Sequence, residues 1–257
     1  VLDTIGLGEV EFCLAAAAPI PPPLIQWWDS LGLQLMDGFG QTEAMGLIAS
    51  SHDNRRIGSV GKPVGEVEYK ITEEGELAVR ANGCTPGYYK QPEKTAELIR
   101  DGWLHTGDKA RVDEDGFIYI TGRVKDYFKT IQGKFVAPPP IEGMFANNTF
   151  IEQQCLLGRG FSKTVMTAVL TEAAKSESTE TVDAAIRDTV AAINEEIEAH
   201  ARIGAVIISS DLWSIENEVL TPTLKIRRDK VEELFGELGE RLARQSAEER
   251  KILVHWV

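Results

Sequence analysis

At 257 residues the chain has room for one large or two modest domains, and a hydrophobic share of 43% supplies a core. Its net charge of −13 excludes nucleic acid or an anionic membrane as the main partner, because both require a basic face. A polyanionic ligand would need a locally basic site within this acidic body.

From the N-terminus, residues 10–18 (VEFCLAAAA) read as a buried strand running into a small-residue turn. Residues 21–31 read as a helix opened by proline, and 33–36 lead into a glycine-bearing loop, GFGQTE, at 38–43. Strand, turn, helix and strand in that order are the pattern of an α/β layer. The uncharged run 12–28 is interrupted by Pro19, Pro21, Pro22 and Pro23 and falls short of the ~20 apolar residues of a membrane helix. Between 57 and 123 the pattern changes to short strands and turns. Residues 76–81 (ELAVRA) and 117–121 (FIYIT) are strands, and Glu74-Gly75 and Asp115-Gly116 mark hairpin turns. A third region begins near Lys125. There 164–170 is a strand, and Ile186, Val190, Ile193 and Ile197 form one face of an amphipathic helix. Residues 206–208 are another strand, and Val231, Leu234, Phe235 and Leu238 mark a last helix. The polar stretch 175–181 (KSESTET) reads as a solvated loop. Cys13, Cys84 and Cys155 are too scattered for a disulfide framework or a zinc site, so reduced thiols are expected. With no signal segment, a soluble cytoplasmic protein is expected.

Four motifs stand in order along these elements: GFGQTE at 38–43, WLHTGD at 103–108, GRVKD at 122–126, and TPTLK ending at Lys225. Together they resemble the adenylate-forming enzymes, a family of acyl-CoA synthetases, luciferases and peptide-synthetase adenylation domains. The wording KDYFKTIQGKFVAPPPIE and LTPTLKIRR is most similar to the long-chain fatty-acyl-CoA synthetase branch. The resemblance implies an α/β plus α+β architecture. Residues 1–123 would be the tail of the large AMP-binding N-terminal domain, with an α/β segment (1–55) and a β-rich subdomain (56–123). Residues 124–257 would be a small α+β lid domain. It also implies an ATP-dependent ligase that joins a fatty acid to AMP and passes the acyl group to CoA as co-substrate, with Mg²⁺ as cofactor. Such enzymes carry a Ser/Thr/Gly-rich phosphate loop well before GFGQTE, and none is formed by the 37 residues that precede it here. The expectation is therefore the C-terminal part of a larger enzyme, inactive without its missing N-terminal part as partner. Two rival readings stand beside it: a non-catalytic AMP-binding or partner-binding module, and an adenylating enzyme for another acid or for a carrier-protein acceptor.

In GFGQTE, two glycines around an aromatic permit a sharp turn with close approach to a ligand. Phe39 could offer its ring face to a purine, with Gly40 and Gln41 beside it among the nucleotide contacts. Thr42 has a hydroxyl for a phosphate oxygen, and Glu43 is a hard oxygen ligand suited to Mg²⁺ held with phosphates. The resemblance adds Asp37, which would contact the adenine amine, and Ala17 and Ala18, whose small side chains would line the adenine slot. Asp108 can accept from both ribose hydroxyls, with Thr106 and Gly107 forming a tight turn that holds it still. Arg123 would add a donor to ribose or phosphate. His105 is given a structural role. By resemblance Lys125 is the hinge of the lid, and Gly133 lines the CoA channel, in a loop stiffened by Pro138, Pro139 and Pro140. A lid helix then starts at Ile141-Glu142. Lys225 would stabilise charge as a carboxylate attacks the α-phosphate, while Arg227 and Arg228 are read as surface or CoA-facing charges.

Overall fold

The computed structural model describes residues 1–18, 20–52 and 55–257. The chain divides into two compact units, Val1–Val124 and Lys125–Val257. Among the described residues no helix is long and apolar enough to cross a membrane.

The first unit begins with β1 (Leu14–Ala16), α1 (Pro22–Ser30), β2 (Met36–Gln41), β3 (Gly46–Ser50) and β4 (Lys62–Pro63). Prolines suit the first turn of α1, where a missing N–H has no helical partner to lose. The four strands form one sheet in the order β1-β2-β3-β4, with β1 parallel to β2 and the other pairs antiparallel. The strand expected over 10–18 is only three residues long and lies at the sheet edge, where Phe12 and Leu14 are exposed rather than buried. Its alanines bury little area, and no strand among the described residues pairs its outer edge.

GFGQTE is not a loop. GFGQ completes β2, and only Thr42–Ala44 leaves the sheet, as a single 3₁₀ turn before β3 returns. A Cβ on Gly40 would lie 1.8 Å from the carbonyl oxygen of Gly46. Glycine is needed there for close strand approach, not for a bend.

The second sheet of this unit holds β5 (Glu68–Ile71), β6 (Glu76–Arg80), β7 (Ile99–Arg100), β8 (Trp103–Val112) and β9 (Ile118–Arg123), with α2 (Pro92–Leu98) leading into β7. β8 pairs with β6 along one edge, and with β7 then β9 along the other. The turns at Gly75 (φ +80) and Gly116 (φ +84) close the two expected hairpins. Ile48 and Ala49 of β3 pack with Leu77, Val79, Leu104 and Ile118, so one core serves both sheets.

The second unit comprises β10 (Phe128–Lys129), β11 (Phe135–Val136), α3 (Pro138–Phe145), β12 (Ile151–Leu157), β13 (Thr164–Leu170), α4 (Thr179–Glu196), β14 (Ile203–Ser209), α5 (Arg228–Glu249) and β15 (Leu253–Trp256). A four-stranded sheet runs β12-β13-β14-β15, antiparallel at its first pair and parallel at the others. Met166, Ala168 and Leu170 face α3 and α4, while Val165 and Val169 face α5, so β13 is buried on both sides. That explains its continuous apolar run.

Four local expectations are corrected here. Pro138, Pro139 and Pro140 do not stiffen a loop; they form the first turn of α3, which therefore starts three residues earlier than Ile141. Residues 175–181 include Ser178, whose hydroxyl caps α4 by accepting the Thr181 N–H at 3.2 Å. Leu234 faces solvent, and the buried stripe of α5 runs through Val231, Leu242 and Ala243. Arg228 is no surface charge. Its guanidinium pairs with Glu142 at 2.8 Å and donates to the Leu156 carbonyl at 2.6 Å, tying the start of α5 to α3 and β12.

Removing one partner of a buried ion pair strands the other. Arg228→Met is therefore expected to lower the stability of the second unit by roughly 3 kcal/mol, read from urea unfolding. A midpoint within experimental error of the parent would show that the pair contributes nothing.

Candidate nucleotide site

In the first unit, Ala16 at the end of β1 and Ala17 just after it, the end of β2 (Gly40, Gln41) and the turn into β3 (Thr42, Met45) line one open groove of about 620 Å³. Ala17 (φ +72) and Met45 (φ +57) have left-handed backbones, a conformation glycine reaches without cost. Gln41 has a buried amide nitrogen with no hydrogen-bond partner among the described residues. An unmet buried donor costs about 1–3 kcal/mol. Ala18 is exposed beyond the groove lining. Phe39, expected to stack on a purine, is half-buried and packs against the core instead. Strand alternation turns it away from the side of Gly38 and Gly40.

Asp37 lies opposite Ala15 on β1. The backbone of Asp37 is held by the buried Ser51, whose hydroxyl accepts the Asp37 N–H at 2.7 Å and donates to its carbonyl at 3.0 Å. Burial pushes the Asp37 carboxyl up to about 6, against a lowering hydrogen bond from the Gly38 N–H.

Glu43 lies in the 3₁₀ turn. Its Oε1 accepts the Tyr88 hydroxyl at 2.6 Å, and its carbonyl accepts the Thr85 N–H at 2.7 Å. No group of three metal-ligating side chains occurs among the described residues. A single carboxylate with one oxygen engaged still fits Mg²⁺, which is commonly held by one or two carboxylates plus phosphates and water.

Asp108 lies within β8, not in a turn, and is buried. Gly107 (φ +73) makes a bulge there, because only Leu77 of β6 faces Thr106, Gly107 and Asp108 together. Across the sheet Arg123 pairs with Asp108, Nε to Oδ1 at 3.2 Å, and also reaches the Thr106 carbonyl at 3.3 Å. His105 is nearly buried, with Nδ1 bonded to Glu76 at 2.7 Å.

The remaining candidates belong to the second unit. Lys125 is its first residue and is exposed. Gly133 sits in the turn between β10 and β11 with φ +73, and nothing stands within 4 Å of where its Cβ would be. The backbone conformation, not lack of space, is what selects glycine. Lys225 is exposed on a turn closed by a Leu220–Ile226 bridge, in which Thr221 Oγ1 accepts the Lys225 N–H at 3.0 Å. Leu224 just before it is left-handed, φ +60.

The structure thus gathers Ala17, Gly40, Gln41 and Thr42 in one groove and pairs Asp108 with Arg123. Sequence reasoning passed over Tyr88, Ser51 and Glu76. The aromatic pair after Gly87 was the one local signal for Tyr88; Ser51 and Glu76 had none.

Residues 3–89 match the AMP-binding enzyme family, and residues 125–242 match the AMP-binding enzyme C-terminal domain. The chain belongs to the AMP-binding enzyme family. It is 32% identical over 250 residues to the long-chain-fatty-acid–CoA ligase FadD15 of Mycobacterium bovis, covering 89% of this chain and 41% of that relative. The A-PCP didomain of carboxylic acid reductase from Segniliparus rugosus, in complex with AMP, aligns with a TM-score of 0.78 and 31% identity, over 95% of this chain and 36% of that one. The anthranilate CoA ligase AuaEII, in complex with anthranoyl-AMP, aligns with a TM-score of 0.74 and 25% identity, over 93% of this chain and 46% of that one. The chain spans about two-fifths of the length of the curated relatives it matches.

The raised Asp37 carboxyl gives a pH test. Folding holds its proton more tightly, so its contribution to stability is full below the ordinary value of 3.8 and is lost as pH rises through about 6. Asp37→Asn should therefore gain stability relative to the parent at pH 8, and the gain should shrink by pH 4. A difference in melting temperature that does not vary with pH would refute the burial of that charge.

Proposed function

We propose that this chain is the C-terminal portion of an ATP-dependent acid–thiol ligase that activates a fatty acid as acyl-AMP and transfers it to CoA. The observation that carries this reading is the tandem of two AMP-binding family domains, matched over 3–89 and 125–242, on two separate compact units. The first unit would be the tail of the large domain with its β-rich subdomain. The second would be the lid, turning about Lys125 between the two half-reactions. A fatty acid is favoured by the likeness to long-chain ligases from Mycobacterium bovis and Rattus norvegicus.

In the first half-reaction the carboxylate attacks the α-phosphorus of ATP and pyrophosphate leaves. In the second the CoA thiol attacks the acyl carbon and AMP leaves. The groove would take the nucleotide, with Ala17 leaving room for the base, Asp37 beside the adenine amine, and Gly40 and Gln41 along its floor. The Thr42 hydroxyl would donate to a phosphate oxygen. Asp108, held by Arg123, would accept from the ribose hydroxyls. Glu43 would hold Mg²⁺, which when bound offsets phosphate charge. Lys225 would neutralise the charge that develops as two anions are brought together, and Gly133 would flank the entering thiol.

A second reading keeps adenylation and changes the acceptor. Likeness to a didomain in which an adenylation domain is joined to a PCP domain favours a carrier-protein thiol. A panel of carboxylic acids assayed with the complete protein for pyrophosphate and thioester separates the two. Fatty acids are expected to give both products, in dependence on CoA. Pyrophosphate release with no CoA thioester from any acid would overturn the CoA assignment.

Lys225→Ala is expected to slow adenylate formation at least tenfold, equivalent to about 1.4 kcal/mol, while sparing thioester formation from supplied acyl-adenylate. Equal losses in both half-reactions would remove Lys225 from this role. Asp108→Ala should weaken both ATP and AMP binding in calorimetry, whereas unchanged affinities would leave Asp108 a strand residue only.

A further inference from the structure

Glu76 is a carboxylate buried inside a sheet, which is costly unless both its oxygens are met. Both are. Oε2 accepts from His105 Nδ1 at 2.7 Å and from Arg100 at 2.8 Å, and Oε1 accepts the Gly107 N–H at 2.9 Å. Burial alone would raise this carboxyl, but the bonds from His105 and Gly107, together with the charges of His105 and Arg100, hold it below the usual range. An ionised acceptor makes the stronger bond to an N–H.

The residue it grips is the left-handed glycine at the centre of the β8 bulge. On the other side of that bulge, Thr106 Oγ1 donates to the Leu77 carbonyl at 2.8 Å and accepts the Asp108 N–H at 3.1 Å. The extra residues of β8 are therefore pinned at Gly107 by a side chain of β6 and at Asp108 by the hydroxyl next to it. A bulge re-aims the side chain that follows it, and here that side chain is the Asp108 carboxylate, set against Arg123.

We infer that Glu76 is a positioning residue for the ribose contact: through the Gly107 N–H it fixes the bulge that presents Asp108 to the sugar hydroxyls. This rests on the reading of Asp108 given above. It predicts an effect confined to recognition of the sugar, which a residue that merely supports the fold would not produce.

The test compares calorimetric affinities of the complete protein for ATP and for 2′-deoxy-ATP. The parent should prefer ATP by about tenfold or more, the worth of a hydrogen bond to a charged group. Glu76→Met fills the volume without an acceptor and should bring the ratio close to one, mainly by weakening ATP. Glu76→Gln keeps an acceptor for Gly107 and should hold the ratio within about threefold of the parent, the allowance for a neutral acceptor being the weaker one. If Glu76→Met weakens both nucleotides equally, or leaves the ratio intact, the inference is overturned. Should that variant fail to fold, Glu76→Asp keeps the charge but draws the acceptor back from the Gly107 N–H, and an unchanged ratio there overturns it equally. Asp108→Ala separates the two claims. If it leaves the parent ratio intact, the reading of Asp108 itself fails. If it abolishes the ratio while Glu76→Met does not, only the role of Glu76 fails.

Discussion

A strand hydrogen-bonded on both edges has few free backbone groups with which to change direction, and β8 is such a strand. It is ten residues long, paired with β6 on one side and with β7 and β9 on the other. Leu104 and Ala110 must lie in the core shared by the two sheets of the first unit. Between them the same strand carries a buried acid. The bulge at Gly107 reconciles these demands, because it inserts residues locally without breaking the ladder at either end. The buried Glu76, the hydroxyl of Thr106, the pairing of Arg123 and the enclosure of His105 all follow from it.

The second unit solves a different problem. The two central strands of its sheet, β13 and β14, are buried on both faces, and its candidate groups lie on the connections. Gly133 lies in a hairpin turn and Lys225 in the segment between β14 and α5. What anchors the latter is internal. Arg228, three residues after Lys225, is held by Glu142 and the Leu156 carbonyl, and Arg227 donates its N–H to the Val219 carbonyl at 2.8 Å. The exposed lysine thus leaves from a fixed base.

Where residues argued through local chemistry, the fold was legible. The strand Thr164–Leu170 could be bounded from its apolar run, the α4 face from its spacing through Ile186, Val190 and Ile193 (Ile197 ends the helix in extended backbone), and the hairpins from Gly75 and Gly116, whose positive φ requires what the sequence offers. The misreadings share a cause, which is that a residue type can serve two physical needs. Glycine in GFGQTE signalled a turn, yet Gly40 answers to the carbonyl of Gly46 across the hairpin. Thr106-Gly107 looked like a turn and is a bulge inside a strand. The triple proline looked like a stiff loop and starts a helix. Among the candidate residues, the GFGQTE motif supplied Gly40, Gln41 and Thr42 and the family resemblance supplied Ala17, and the fold brings them into one groove. It could not reveal Glu76 or Arg228, whose partners lie 31 and 86 residues away.

Leu224 is a side chain that L-geometry disfavours in the backbone it occupies, at φ +60 beside Lys225. The left-handed conformation costs a residue with a Cβ roughly 1–2 kcal/mol. In populations, that multiplies the share of any competing turn shape about five- to thirtyfold. Glycine at the same place would deepen the well and slow departure from it. On the reading proposed above, the amine is needed for one step and must withdraw for the next. Leu224 therefore keeps the Lys225 turn in a shallower well than glycine would, on a segment whose far end is fixed by Arg228.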